Sequence, residues 1–454
     1  MKERRVAVLG LARSGTALSL ALRDRGVEVC AGDRKPLSEI PSAAHLAERG
    51  VKLHTGGPDM AMLDGVELLA VSPGVPGNSP VMGEARRRAI PVLPEFEVAW
   101  RILEEESTGR NRYAAVTGSN GKSTVASWLA DALRRAGRPV VLAGNIGTAL
   151  SGFCADKSPR DFVVELSSFQ LETIAKFRPD VAIVTNITPD HLDRHGSLEA
   201  YAAAKARIFE NQSGEDASVV NEDDPISRAL SPAGRIGFSR QRTVPGGVSV
   251  EGGAIVSRVG GAERAVLPMA ELGLPGIHNL ENALAVVAAA DALGVEPAPV
   301  ADSLREFPGL PHRCRTIARI GGVEWVDDSK GTNPDAVVKS LAGFPPGTVL
   351  LILGGSDKGS DFRPLAPEVE RAARIVFTIG QSAQKIEAAL PGADVRRAGD
   401  LARAVATAAG EARPGETVLL SPACASFDQY ANFEERGRHF AQLVGKVAEG
   451  SHGA

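Results

Sequence analysis

The chain reads as an α/β protein of three domains, and three patterns carry that reading. Short apolar runs alternate with amphipathic segments in the first and last thirds of its 454 residues, which argues for parallel sheets covered by helices. A glycine-rich turn separates an apolar run from an apolar-periodic segment at residues 113–136, the strand–loop–helix order of a phosphate loop. At ~150 residues per domain, the length suggests about three. The expected division is a Rossmann-like N-terminal domain at 1–99, a central P-loop ATPase-type domain with a mainly parallel sheet at 100–308, and a Rossmann-like C-terminal domain at 309–454.

The elements follow in order. In the first domain strands are expected at 6–9, 27–30, 51–53 and 67–71, with a helix at 14–25. A helix at 94–106 leads through the polar link 107–112 into the phosphate loop. Central strands are expected at 140–142, 162–165, 181–185 and 218–220. Between 246 and 268 the pattern changes to short alternating runs split by paired glycines, a small antiparallel hairpin region. An alanine-rich helix at 279–292 follows. After the 308–312 boundary come strands at 323–326, 348–353, 374–379 and 417–420, and a closing helix at 433–448.

Composition narrows the class. A net charge of −4 argues for neither nucleic acid nor a membrane surface as partner. Cys30, Cys154, Cys314 and Cys424 are scattered without zinc spacing, and buried free thiols suit a reducing compartment. The chain shows no apolar leader and no run of 18 apolar residues of the kind a membrane span needs. A cytoplasmic monomer with small-molecule substrates is the expectation.

The run Thr117-Gly-Ser-Asn-Gly-Lys-Ser-Thr124 is a shortened phosphate loop whose first glycine is Gly118. Glycines let backbone wrap a phosphate, and the amides of the loop and helix start point at the anion. Gly118, Asn120, Gly121, Lys122, Ser123 and Thr124 are therefore read as an ATP site. Lys122 would reach the β- and γ-phosphates, and the Ser123 hydroxyl would hold Mg²⁺.

Other constellations are weaker. Gly10-Leu-Ala-Arg-Ser-Gly15, with Asp33 after the second strand, approximates a dinucleotide fingerprint and suggests a nucleotide-diphosphate site. Glu165 ends an apolar strand, where a carboxylate can meet the metal; a capping acid is the alternative. Two histidines and two aspartates fall within 188–195; beside ATP they suit Mg²⁺ better than zinc, with His195 as a loop residue. Lys205 in an alanine-rich helix reads at first as a snorkelling lysine. Asn279 and Asn282 stand three apart at a helix start, either facing a partner or capping. Loops at 327–333, 354–358 and 421–429 follow three C-terminal strands, the positions where open α/β sheets bind small ligands.

Thr117–Thr124 together with Gly144-Asn-Ile-Gly147, Glu165-Leu-Ser-Ser-Phe-Gln-Leu171, Asp190-His191, His278-Asn279 with Asn282, Pro311-His-Arg313, Asp328-Ser-Lys330 and Ser421-Pro-Ala-Cys-Ala-Ser-Phe-Asp-Gln429 resembles the Mur ligase family over nearly the whole chain. The last motif and Glu165–Leu171 resemble its D-glutamate-adding branch. The resemblance implies ATP-dependent amide-bond formation between D-glutamate and UDP-N-acetylmuramoyl-L-alanine, in cytoplasmic peptidoglycan-precursor synthesis. It implies that Ser14, Asp33 and Arg34 hold the uridine end, and Ser72 and Asn145 the diphosphate or sugar. Arg34-Lys35 depart from the family's small hydroxyl residue followed by arginine. Glu165 and Ser123 would take one Mg²⁺, and His191 with a carbamylated Lys205 a second. Lys122, His191 and Lys205 would be the catalytic set. Asn279 and Asn282 would meet adenine, and Arg313 and Asp328 the ribose and phosphates. Lys330, Thr332, Lys358, Ser426 and Phe433 would face D-glutamate.

The chemistry is coherent on its own terms. A free carboxylate must be activated before an amine can displace water from it, and phosphoryl transfer from ATP supplies an acyl phosphate. Two further classes fit part of the chain. A folylpolyglutamate synthase-like ligase would share the ATP half, and an NAD-dependent oxidoreductase would use only the N-terminal turn. A non-catalytic nucleotide switch is a third.

Overall fold

The computed structural model describes residues 2–451 apart from Ser231, Pro275 and Lys358. It divides into two compact units, Met1–Ile187 with Glu199–Glu271 and Glu281–Glu306, and Thr188–Leu198 with Leu272–Leu280 and Phe307–Ala454.

The first unit holds two sheets. β1 (Arg5–Leu9), β2 (Glu28–Asp33), β3 (Lys52–Thr55), β4 (Leu68–Val71) and β5 (Val92–Pro94) run parallel in the order β3-β2-β1-β4-β5. The chain builds outwards on one side of β1 and then the other, so a crevice opens where β1 and β4 end. The second sheet contains β6 (Arg112–Thr117), β7 (Val140–Gly144), β8 (Asp161–Glu165), β9 (Val181–Val184), β10 (Ala217–Asn221), β11 (Arg235–Ser239), β12 (Val248–Glu251), β13 (Ala254–Ser257) and β14 (Arg264–Pro268). Its order is β14-β13-β12-β11-β10-β9-β6-β8-β7. Among the described residues only its β12–β13 and β13–β14 pairings are antiparallel.

The paired glycines at 252 and 253 take φ of +56° and +79°, the left-handed pair that a two-residue hairpin turn requires. The expected antiparallel hairpin region extends the main sheet through the parallel β11–β12 pairing. That join depends on β11, which the apolar pattern did not mark. The 3-10 turn Leu150–Phe153 packs against the helices Arg13–Arg23 and Glu95–Glu106. Arg25 pairs with Glu106 at 2.5 Å beside it.

The second unit is a six-stranded sheet of β15 (Arg315–Ile320), β16 (Val323–Asp327), β17 (Val349–Gly354), β18 (Ala373–Ile379), β19 (Val395–Gly399) and β20 (Thr417–Leu420), ordered β15-β16-β20-β17-β18-β19. β15 alone is antiparallel, reached from β16 across Gly321-Gly322. β17 is buried along its length. Leu351 and Leu353 pack with Val337 and Val369 on one face, Leu350 and Ile352 with Val405 and Phe440 on the other. Burial on both faces explains why this strand reads as an unbroken apolar run. The edge strands β15 and β19 are half-exposed and arginine-bearing, and no apolar run marks them.

Candidate active site

The phosphate loop joins β6 to the helix Lys122–Arg135, whose N-cap is Gly121 at φ +83°. Gly118 has φ +146°, and a Cβ there would run into Thr185 Oγ1. A Cβ at Gly121 would meet Asn282 Oδ1. Glycine is therefore needed for backbone angle and for space. Thr185 and Asn186, just past β9, brace the turn: Thr185 Oγ1 donates to Asn120 O at 2.5 Å, and Asn120 N donates to Asn186 Oδ1 at 3.0 Å. Lys122 Nζ curls onto Gly118 O and Ser119 O at 2.8 and 2.7 Å. Ser123 and Thr124 are buried at the helix start.

Glu165 ends β8 next to β6, fully buried, and its Oε1 accepts from Asn145 Nδ2 at 3.0 Å. A buried carboxylate and a helix-start hydroxyl are oxygen donors of the kind Mg²⁺ takes. Lys205 corrects the snorkelling expectation. It is 1% exposed, and its Nζ donates to Gly118 O at 2.7 Å and lies 4.4 Å from the centre of the Tyr201 ring. The helix carries it inwards to the phosphate loop, not out to solvent.

A cavity of about 580 Å³ lies at the β1/β4 switch point, and Ser14, Asp33, Arg34, Ser72 and Asn145 all line it. The start of the helix Arg13–Arg23 borders it without a side-chain cap, which leaves first-turn amides for an anion. Gly15 lets this helix close on the β1 turn, since a Cβ there would overlap Gly10 O. Asp33 shapes the rim: its carboxylate accepts from Leu11 N at 2.7 Å and Lys35 N at 3.0 Å. Ser72 Oγ donates to Gly10 O at 2.8 Å.

In the second unit three loops leave adjacent parallel strands. Asp327–Asn333 follows β16, 355–360 follows β17 and 421–429 follows β20. Ser421 Oγ and Ser340 Oγ donate to Asp328 Oδ2 at 2.6 and 2.8 Å. Burial outweighs those donors and lifts the Asp328 carboxyl from 3.8 to about 6. Ser356 and Ala425 exchange backbone bonds. Arg436, 1% exposed, donates to Ser329 O at 2.8 Å and Cys424 O at 3.1 Å, and burial lowers it to about 10. Lys330 Nζ lies 5.1 Å from the centre of the Phe433 ring; Ser426 is buried and its neighbour in sequence, Phe427, is exposed. Thr332 is half-buried in the same loop. Lys358 lies outside the described residues.

Asp190 and His191 also belong to this unit. Asn333 Nδ2 donates to Asp190 Oδ2 at 3.1 Å, and His191 holds φ +54°. His195 ends the short helix Leu192–His195, where a loop had been expected. No group of three or more His, Cys, Asp or Glu side chains able to hold a metal occurs among the described residues. Arg313 sits near His278, whose imidazole is pushed down to about 4 by burial, Arg313 and Lys339. Asn279 and Asn282 both lie in the helix Ile277–Ala292.

Sequence reasoning missed Thr185, Asn186, Tyr201 and Arg436. Polar residues directly after an apolar strand could have pointed to the first two. Nothing local distinguishes Arg436 from the other charges of its helix.

The described residues build three α/β sheets, with a glycine turn between β6 and its helix and a cavity at the β1/β4 switch point. Three family models match in sequence order: a Mur ligase MurD-like N-terminal domain at 4–94, a Mur ligase middle domain at 116–290, and a Mur ligase glutamate ligase domain at 312–424. The chain is 43% identical to the UDP-N-acetylmuramoylalanine--D-glutamate ligase of Acidobacterium capsulatum, over 98% of this chain and 96% of that one. It is 43% identical to the enzyme of the same name from Pelotomaculum thermopropionicum, over 98% of each. A MurF ligase of Thermotoga maritima, solved with ADP, shares the fold at a TM-score of 0.63 and 18% identity, covering 93% of this chain and 95% of that one. The chain belongs to the Mur ligase family. No helix among the described residues is long and apolar enough to cross a membrane.

Proposed function

We propose that this chain joins D-glutamate to UDP-N-acetylmuramoyl-L-alanine at the cost of ATP, a step in cytoplasmic peptidoglycan-precursor synthesis. The observation that carries the reading is the 43% identity, over nearly the full length, to two enzymes of that name. The proposed domains are 1–99 for the UDP substrate, 100–308 for ATP and 309–454 for the amino acid.

The substrate carboxylate attacks the γ-phosphorus of ATP, giving an acyl phosphate and ADP. The amine of D-glutamate then adds to the acyl carbon, loses a proton, and the tetrahedral intermediate expels phosphate. Loop amides and Lys122 hold the phosphates in line and offset their charge. Bound Mg²⁺ would neutralise the repulsion between carboxylate and γ-phosphate. Ser123 and Glu165 are the proposed ligands of one ion, His191 and a carbamylated Lys205 of a second. Ser14, Asp33, Arg34, Ser72 and Asn145 take the UDP-sugar, which their shared cavity supports. Gly118, Asn120, Gly121, Thr124, Asn279, Asn282, Arg313 and Asp328 serve ATP. Lys330, Thr332, Lys358, Ser426 and Phe433 serve D-glutamate.

Phosphate release is measured with ATP, UDP-N-acetylmuramoyl-L-alanine and D-glutamate, and again with each omitted. Release should require all three, and equal release with L-glutamate would overturn the assignment. The carbamate has its own test. Lys205→Ala should regain turnover when short carboxylates are added, and an unmodified ammonium in a metal-bound, bicarbonate-equilibrated crystal would refute it.

A further inference from the structure

The first turn of the helix Glu95–Glu106 buries a carboxylic acid that the proposed chemistry does not use. Glu95 is 2% exposed, and its Oε2 has no hydrogen-bond partner among the described residues. Its polar neighbour is the Ser151 hydroxyl, on the 3-10 turn Leu150–Phe153. That hydroxyl donates to Ser14 O at 3.3 Å. Ser14 lies in the first turn of the helix that borders the N-terminal cavity, and Ala149, next to the 3-10 turn, also lines it. Glu95, Ser151 and Ser14 therefore connect a buried acid to the cavity wall.

We propose that Glu95 is a positioning residue for the UDP end of the substrate: as a neutral acid it holds Ser151 against the Ser14 turn, and its ionisation loosens that turn. An ionised carboxylate in a dry site competes for every nearby donor, and the Ser151 hydroxyl is the donor at hand. Burial raises the Glu95 carboxyl from 4.5 to about 7, so the change falls near neutrality. The titratable groups around it offer no counter-charge. Cys154, beyond Ser151, has its own thiol pushed up to about 12 by burial. Arg25 is engaged by Glu106 and the Cys154 carbonyl. On its own helix, Glu97 is engaged by Arg101 and by the Ala175 and Lys176 amides.

The inference rests on the UDP-substrate reading of the cavity only for its functional arm. Affinity for UDP-N-acetylmuramoyl-L-alanine is measured by calorimetry from pH 6 to pH 8.5 in the full chain and in Glu95→Gln, which mimics the neutral acid at every pH. The unaltered chain should lose affinity several-fold across this range relative to Glu95→Gln, and the ligand's own titration cancels between the two. Parallel profiles would overturn the proposal. The second arm needs no ligand. Amide hydrogen exchange over residues 10–18 is compared between the two proteins at each pH. Faster exchange in the unaltered chain at pH 8.5 but not at pH 6 is expected, and identical exchange at both overturns the proposal. Should Glu95→Gln fail to fold, Ser151→Ala takes its place in both arms. It should exchange faster over residues 10–18 at pH 6 and show no extra rise at pH 8.5, and exchange like the unaltered chain would overturn the proposal. If the sugar nucleotide fails to bind at any pH, the UDP reading falls, while the exchange arm still decides the role of Glu95.

Discussion

The loop after β6 and the loop cluster after β16, β17 and β20 are held in shape in opposite ways. The first is made of backbone. Gly118 and Gly121 bring amides close, and the neutral side chains of Thr185 and Asn186 brace them. The second is made of buried charge. Asp328 and Arg436 tie its loops together from inside, each with its ionisation shifted towards the neutral form by burial. A phosphate presents the same oxygens from any approach, so amides and one lysine suffice. The amino acid proposed for the second has two carboxylates and a defined hand; it would need fixed side chains at several points, which a buried network can hold in place.

Losing one charge at the first loop should affect rate and spare the fold. Lys122→Ala is expected to lower turnover on the order of 10²–10³-fold or more. Calorimetry with the UDP substrate should find its affinity nearly intact, and joint loss of both would break the distinction. At the second cluster the effect should be on the fold first. Arg436→Ala strands the Ser329 and Cys424 carbonyls and should cost on the order of 2–3 kcal/mol in urea unfolding.

Asp328 gives the second cluster a pH dependence. Its carboxyl is raised in the folded state, from 3.8 to about 6. Its contribution to stability is therefore complete below 3.8 and lost as pH rises through about 6. Asp328→Asn should remove that slope, flattening the stability profile between those values by about 2 kcal/mol. Urea midpoints taken across the window would reveal it, and an unchanged slope would show that Asp328 does not titrate there. The smallest effect expected is at Ser426. Ser426→Ala should raise the KM for D-glutamate about tenfold, worth ~1.4 kcal/mol, and leave the KM for ATP in place. Steady-state kinetics with each substrate varied in turn would separate the two.

Legibility followed how local each feature is. The phosphate loop depends on consecutive residues, so Gly118 to Thr124 could be read directly, as could strands such as β17 that are apolar on both faces. The three C-terminal loops were visible because each follows such a strand. The edge strands β15 and β19 were hidden because half-exposed strands need no apolar run. From its helix alone Lys205 was read outwards, because alanine neighbours say nothing about what that face packs against; only the family resemblance placed it at the catalytic site.

By itself the sequence determined the α/β class, the phosphate loop and the family. Each of these rests on short-range pattern, on turn chemistry and on residues adjacent in the chain. Not legible there were the reach of Lys205 to Gly118, the tie that Arg436 makes between the loops after β16 and β20, and the burial of Glu95 near Ser151. Those depend on which distant segments share a dry interior. The energy of a charge there is set by its neighbours in space, and local sequence does not encode them.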